Sequence, residues 1–317
     1  MHILITGGFG YLGSSIAKHL SNQGHKITLG SRYSRTKSKF YFEHENRLID
    51  WDSELSLMKA CEGIDMVIHA AGLTASECFK NPLLADSFNG SATKRLIKAG
   101  ASKKIKYFIY LSTVHVYNSN LKGLISEQTP LLNSHPYAIS NIKGENETLL
   151  ESKKNNINGL VLRLSNIFGP PISDDINYRN LLMGEVAYQA INNNEIKLSS
   201  NGEQLRNFMT ITELCEVFSF LLNEIDIFSK VNILNIGSLW NTSILDAVKI
   251  ARDVISKKIM QEIPIHTIKQ NIQTTYSLNF SSQKLYELGY EPLNYVNDEI
   301  NNLADFCINL KKNNEEQ

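Results

Sequence analysis

The sequence predicts an α/β fold built on a doubly wound parallel sheet, with a smaller mixed α/β region toward the C-terminus. Short apolar runs alternate with helical stretches over residues 1–169. A glycine-punctuated turn joins the first apolar run to an amphipathic helix. Pro170, Pro171, Gly202, Gly237 and Pro264 segment the remainder.

The turn lies in ILITGGFGYLG, Ile3 to Gly13. Apolar β-formers run into Thr6, and the helix Tyr11 to Leu20 follows. Gly7 is needed where the chain turns, Gly10 where backbone N–H groups approach a pyrophosphate, and Gly13 where helix and strand pack closely. A dinucleotide would lie on this turn, with Gly7, Phe9, Gly10, Tyr11, Leu12 and Gly13 as its cradle. A second strand, His25 to Gly30, ends at Ser31 and Arg32, with Arg35 and Lys37 behind them. An acidic residue at that position accepts hydrogen bonds from the 2′-hydroxyl of NAD. Its absence beside an arginine suits a 2′-phosphate, so NADP(H) is favoured and NAD(H) remains possible.

Arg47 to Ile49 reads as a short strand that places Asp50 near the adenine amino group. MVIHAAG follows as a buried strand ending in Ala70, Ala71 and Gly72, small enough for the cofactor to cross, with His69 as a core histidine. Pro82 to Ala99 reads as one long helix carrying Asn89, and Lys106 to Leu111 as the next strand. Further helices are expected over Tyr178 to Asn192 and Thr212 to Leu222. Asn235 to Ser238 reads as one more strand tip of the core sheet. The expected organisation is a dinucleotide-binding domain over 1–169 and a mainly substrate-binding region over 170–317, with a segment near 231–258 returning to the core sheet.

Composition narrows the partners. The chain has 317 residues, 42% of them hydrophobic, enough for a sizeable core. Its 32 basic and 32 acidic residues cancel, so net charge calls for neither nucleic acid nor an anionic membrane. Cys61, Cys78, Cys215 and Cys307 form no CxxC, so neither a zinc site nor a disulfide framework is expected, and no metal is assigned. No apolar run approaches the roughly 20 residues of a membrane span, and Met1 leads directly into the first strand. A cytoplasmic location is expected.

The chemistry is carried by YFIYLSTVHVYN and the later helix start HPYAISNIKGENE. A hydroxyl at a strand tip and a tyrosine opening a helix can meet at one substrate oxygen, one moving a proton while the other holds the oxygen. Thr113 and Tyr137 are those residues.

With TGGFGYLG, IHAAG, LSTVHVY, PYAISN, RLSNIFGPP, GEQLRNFMTI, NIGS and LGYEP in this order, the chain resembles an extended short-chain dehydrogenase/reductase of the nucleotide-sugar epimerase/dehydratase branch. The resemblance implies a Rossmann domain holding a nicotinamide cofactor and a C-terminal region for a sugar nucleotide. It implies that Thr113 and Tyr137 flank a sugar carbon, most often carbon 4, and that Asn166 and Arg206 bind the pyrophosphate. A guanidinium also suits phosphate bidentately. Helices near 82–100 and 136–154 correspond to those that pair across a twofold axis, which implies a homodimer.

Three departures from the family pattern bear on the chemistry. The lysine four residues after the active tyrosine is replaced by Asn141, which would touch the nicotinamide ribose without charge. Lys143 lies about 240° around the helix from Tyr137 and cannot take over. An unassisted tyrosine, with a pKa of about 10, carries the phenolate in only about one molecule in a thousand at neutral pH. Oxidation of an alcohol suffers most, whereas a ketone reduction asks Tyr137 only to donate a proton. In place of the acidic pair that dehydratases carry after the threonine stand Val114 and His115. His115 either moves a proton near the sugar or fills the pocket wall. The third departure is TITEL, where the family usually has two aspartates. The expectation is an NADP(H)-preferring reductase of a 4-keto nucleotide sugar. The alternatives are an epimerase or dehydrogenase with retained NAD, and a catalytically silent binding relative.

Overall fold

The apolar run after Met1 forms a strand, β1 (His2–Thr6), buried from Ile3 onward, near the middle of a seven-stranded parallel sheet. The computed structural model describes residues 1–34, 43–268 and 277–315. Arg35 and Lys37 lie outside them.

From β1 the chain turns into α1 (Tyr11–Asn22), then β2 (Lys26–Ser31), β3 (Glu45–Leu48), α2 (Glu54–Ala60) and β4 (Met66–His69). Next come α3 (Ala75–Lys80), α4 (Pro82–Ala85), α5 (Ala92–Ser102), β5 (Tyr107–Thr113), α6 (Pro136–Lys154), β6 (Asn158–Leu164) and β7 (Ile233–Ile236). The sheet order is β7-β6-β5-β4-β1-β2-β3. The order reverses at β1, so the carboxyl ends of β1 and β4 border a crevice where this kind of sheet receives ligands.

The helix expected over Pro82 to Ala99 is interrupted. Between α4 and α5 the residues Asp86–Ser91 form a π-helical turn. The wider turn carries Asn89, whose carbonyl accepts the Thr93 hydroxyl at 2.8 Å and the Tyr110 hydroxyl at 3.5 Å. Single π turns of this kind frequently accompany functional sites.

The chain divides into two units. The first holds Met1–Ser119, Glu127–Leu164 and Val217–Ile236, and the second holds Asn120–Ser126, Ser165–Glu216 and Gly237–Gln317. The first unit ends at Leu164, earlier than 169, because Asn166–Phe168 pairs in parallel with Leu205–Thr210 of the second. The returning segment is Val217–Ile236; its strand Ile233–Ile236 joins the core sheet within the expected 231–258, and the rest of that span belongs to the second unit. Ile244–Ile259 stays in the second unit because Val248, Ala251 and Ile255 bury in its core beside Phe168, Phe208 and Ala304. The helix expected from Tyr178 starts at Leu182, because Tyr178 is held in a turn by the Leu181 N–H on its carbonyl.

In the first unit, Leu4, Val67, Phe108 and Val161 pack against Trp51, Phe88 and Leu96 to form one core. His69 lies in this unit, 1% exposed, between the hydroxyls of Thr6 at 2.6 Å and Thr93 at 3.1 Å. Burial pushes its pKa down to about 3, so it stays neutral. No described helix is long and apolar enough to cross a membrane.

Candidate active site and dinucleotide cleft

A cleft of about 260 Å³ opens at the ends of β1, β2 and β4. Gly7, Phe9, Gly10, Ser31, Arg32, Ala70, Ala71 and Gly72 line it, together with Gly30, Tyr33, Trp51 and Phe88. Gly7 has φ +66°, and a Cβ there would lie 2.8 Å from the Ala70 carbonyl and the Ala71 nitrogen. Only glycine leaves that floor open. Among the described residues, no side chain caps α1 at Gly10 and no carboxylate stands in its first turn, so the positive end of the helix is available to an anion. A Cβ on Gly13 would meet the Gly7 carbonyl at 2.3 Å, so this glycine serves the packing of helix on strand. These features fit a dinucleotide pyrophosphate.

No acidic side chain lines the cleft among the described residues. The Arg32 guanidinium lies 4.9 Å from the centre of the Phe88 ring and 5.7 Å from that of Tyr33. Four of the expected cofactor residues stand outside the wall. Tyr11, Leu12 and Gly13 belong to the first turn of α1 behind it. Asp50 is exposed, and its carboxylate accepts the Asp52 N–H at 3.0 Å, so the neighbouring Trp51 faces the cleft in its place. The aromatic members Tyr33, Trp51 and Phe88 carry no glycine-like signal in the sequence. They reach the cleft because two strand ends and the π turn converge there.

Thr113 ends β5 and Tyr137 opens α6, and the structure brings their hydroxyls together. Burial pushes the Tyr137 phenol above its ordinary pKa, and a hydrogen bond with the Thr113 hydroxyl partly offsets this. The Thr113 oxygen also accepts the His115 N–H at 3.2 Å. The Tyr137 N–H donates to His135 Nδ1 at 3.1 Å, a cap that fixes the start of α6. The His115 ring stands edge-on to Tyr137 at 6.4 Å. Both rings line a second cavity of about 220 Å³ with His135 and Asn133.

Asn141 lies one turn along α6, 6% exposed. Its Nδ2 donates to the Tyr137 carbonyl at 2.8 Å, and its Oδ1 accepts the Tyr110 hydroxyl at 3.2 Å. Tyr110 reaches this place because residue 144 is glycine, where a Cβ would come within 2.2 Å of the phenol oxygen. Lys143 runs over Gly90 and pairs with Asp86 at 2.5 Å. The Tyr110 contact was invisible in the sequence, because strand alternation says nothing of which helix position a side chain will meet.

In the second unit, Asn166 Nδ2 donates to the Asn207 carbonyl at 2.8 Å, and the Arg206 guanidinium donates to the Leu205 carbonyl and the Gln204 side chain.

A profile of the NAD dependent epimerase/dehydratase family matches residues 3–237. The chain belongs to this family. Among curated relatives, it is 23% identical over 330 residues to an uncharacterized UDP-glucose epimerase, YtcB, of Bacillus subtilis, covering 98% of this chain and 99% of the relative. It is 27% identical over 274 residues to a dTDP-D-glucose 4,6-dehydratase of Dictyostelium discoideum, covering 78% of this chain but 60% of that protein. Solved structures of family members share the fold. One is a UDP-glucuronic acid 4-epimerase of Bacillus cereus in complex with UDP-glucuronic acid and NAD, with TM-score 0.79 and 20% identity over 98% of this chain and all of that one. Another is RMD of Pseudomonas aeruginosa complexed with NADPH, with TM-score 0.78 and 18% identity over 98% of this chain and 99% of that one.

Proposed function

We propose that this family member is an oxidoreductase that reduces the keto group of a nucleotide-linked 4-keto sugar, with NADP(H) preferred over NAD(H). The observation that carries this reading is the state of Tyr137. Desolvation holds its partly buried phenol protonated, and the residue one turn on is a neutral amide already engaged with Tyr110. A phenol in that state is a proton donor and a poor base. When bound, the nicotinamide supplies hydride to the carbonyl carbon. Tyr137 donates its proton to the carbonyl oxygen as charge develops there, and the Thr113 hydroxyl holds the same oxygen. An epimerase must first oxidise an alcohol, which needs the phenolate that this surrounding disfavours.

Arg32 at the end of β2, in a cleft wall without a described carboxylate, supports a 2′-phosphate on the adenosine ribose. Asn166 and Arg206 are assigned the sugar-nucleotide pyrophosphate. A homodimer through the helical segments near 82–100 and 136–154 is supported by apolar side chains exposed on them and on α3, with Phe79 70%, Leu83 84% and Ile139 51% exposed.

The test incubates the purified chain with a nucleotide-linked 4-keto-6-deoxyhexose and either NADPH or NADH. Consumption of NADPH with formation of the 4-hydroxy sugar is expected. Tyr137→Phe should lower kcat at least about a hundredfold. Arg32→Ser should weaken NADPH about tenfold, 1.4 kcal/mol, and leave NADH within about twofold. Interconversion of nucleotide hexoses by retained NAD, with no net NADPH use, would overturn the reading.

A further inference from the structure

The second unit carries a cavity that the proposed reaction does not use. Its volume is about 400 Å³, within the range of small-molecule sites. Trp240, Ile250, Leu293 and Val296 form its apolar wall, and Glu213 and Asn297 belong to its polar part.

Glu213 comes from TITEL, the segment that departs from the family pattern. It stands in the first turn of the helix Ile211–Asn223 and is 2% exposed. Its own N–H is satisfied by Thr210 Oγ1 at 3.0 Å. Among the described residues, the carboxyl group accepts one hydrogen bond, from the Leu293 N–H at a long 3.4 Å, and forms no salt bridge. Burial pushes its pKa up to about 7, so near neutrality its proton is loosely held. A buried carboxyl with so little compensation is costly in its charged form, and the cost is relieved by a cation that brings its own donors. Apart from the neutral side chains of Ser238, Asn294 and Asn297 the wall is apolar and includes an indole, whose face attracts a cation and whose area buries a hydrocarbon body.

We infer that this cavity is a second ligand site, for a small primary amine on an apolar body. The ammonium pairs with Glu213, and the body lies against Trp240, Leu293 and Val296. The site takes no part in the hydride chemistry and stands or falls apart from it.

The experiment is isothermal titration calorimetry of the full chain with benzylamine and, separately, benzyl alcohol, which has the same ring but no charge. Benzylamine is expected to bind at least tenfold more tightly. Glu213→Gln should bring the two affinities within about twofold while leaving benzyl alcohol unchanged. Asn297→Lys, at an exposed position of the rim, supplies a competing ammonium and should weaken benzylamine at least tenfold. This second variant keeps the test decisive should the buried substitution disturb folding. Equal affinities for the two probes in the unmodified chain would overturn the inference. So would an amine preference that survives Asn297→Lys.

Discussion

Asn141 departs from the family pattern, yet it is well accommodated. Its amide bridges the Tyr137 carbonyl and the Tyr110 hydroxyl, and Gly144 makes room for the Tyr110 ring. The neutral residue is therefore part of a local arrangement that includes a tyrosine on β5 and a glycine two turns from Tyr137. Asn141→Lys would leave the Tyr110 hydroxyl only its longer bond to the Asn89 carbonyl and place an ammonium beside a buried phenol. If proton donation is the task of Tyr137, keto-sugar reduction by this variant should change less than about tenfold. A gain of a hundredfold or more, about 2.7 kcal/mol of barrier, would mean that the missing charge had been limiting. Gly144→Ala should cost about 1–3 kcal/mol by overpacking against Tyr110 and the Asn89 carbonyl, measurable by urea unfolding.

Elements are held in register by a buried polar cluster behind the reacting hydroxyls. The Ser112 hydroxyl on β5 donates to Glu145 on α6 at 2.5 Å. Arg163 on β6 grips the same carboxylate through Nε at 3.0 Å and Nη2 at 2.7 Å, and its Nη1 donates to the Tyr117 hydroxyl at 3.0 Å. Arg163 and Glu145 are 4% and 2% exposed, so each is the other's charged partner in place of water, with the Ser112 and Tyr117 hydroxyls completing the cluster. The cluster ties the strand that ends in Thr113 to the helix that begins at Tyr137. Glu145→Ala leaves a buried guanidinium unpaired and should destabilise the chain by about 3–5 kcal/mol in urea unfolding. A loss below about 1 kcal/mol would show that water replaces the carboxylate.

For the whole molecule, two buried groups give stability opposite slopes with pH. The pKa of His69 is about 3 when folded, below its unfolded value of about 6.5. Its contribution is present above the unfolded value and lost as pH falls from about 6.5 toward 3, on the order of 5 kcal/mol in all. Glu213, raised to about 7 from about 4.5, has the other sign. Its contribution is complete below about 4.5 and lost as pH rises through 7, on the order of 3 kcal/mol. Urea unfolding of Glu213→Gln should therefore show higher stability than the parent at pH 8 and a shrinking difference toward pH 5. A difference independent of pH would mean that Glu213 ionises as freely when folded as when unfolded.

The sequence alone determined what depends on neighbours along the chain. The turn at Gly7, Gly10 and Gly13 was legible because φ freedom and missing side chains are local requirements, and the alternation of apolar runs announced the parallel sheet. The approach of Thr113 to Tyr137 was legible because the end of a strand and the start of the helix that follows it lie at the same edge of a parallel sheet. Tertiary structure decided what depends on partners far apart in sequence. It set Trp51 in the cleft and turned Asp50 outward, engaged Asn141 with Tyr110, and kept Ile244–Ile259 with the second unit. It also buried Glu213 against Leu293 with no described cation beside it. Those outcomes are settled by which surfaces meet when apolar area is removed from water, a condition on the assembled fold that no spacing of residues encodes.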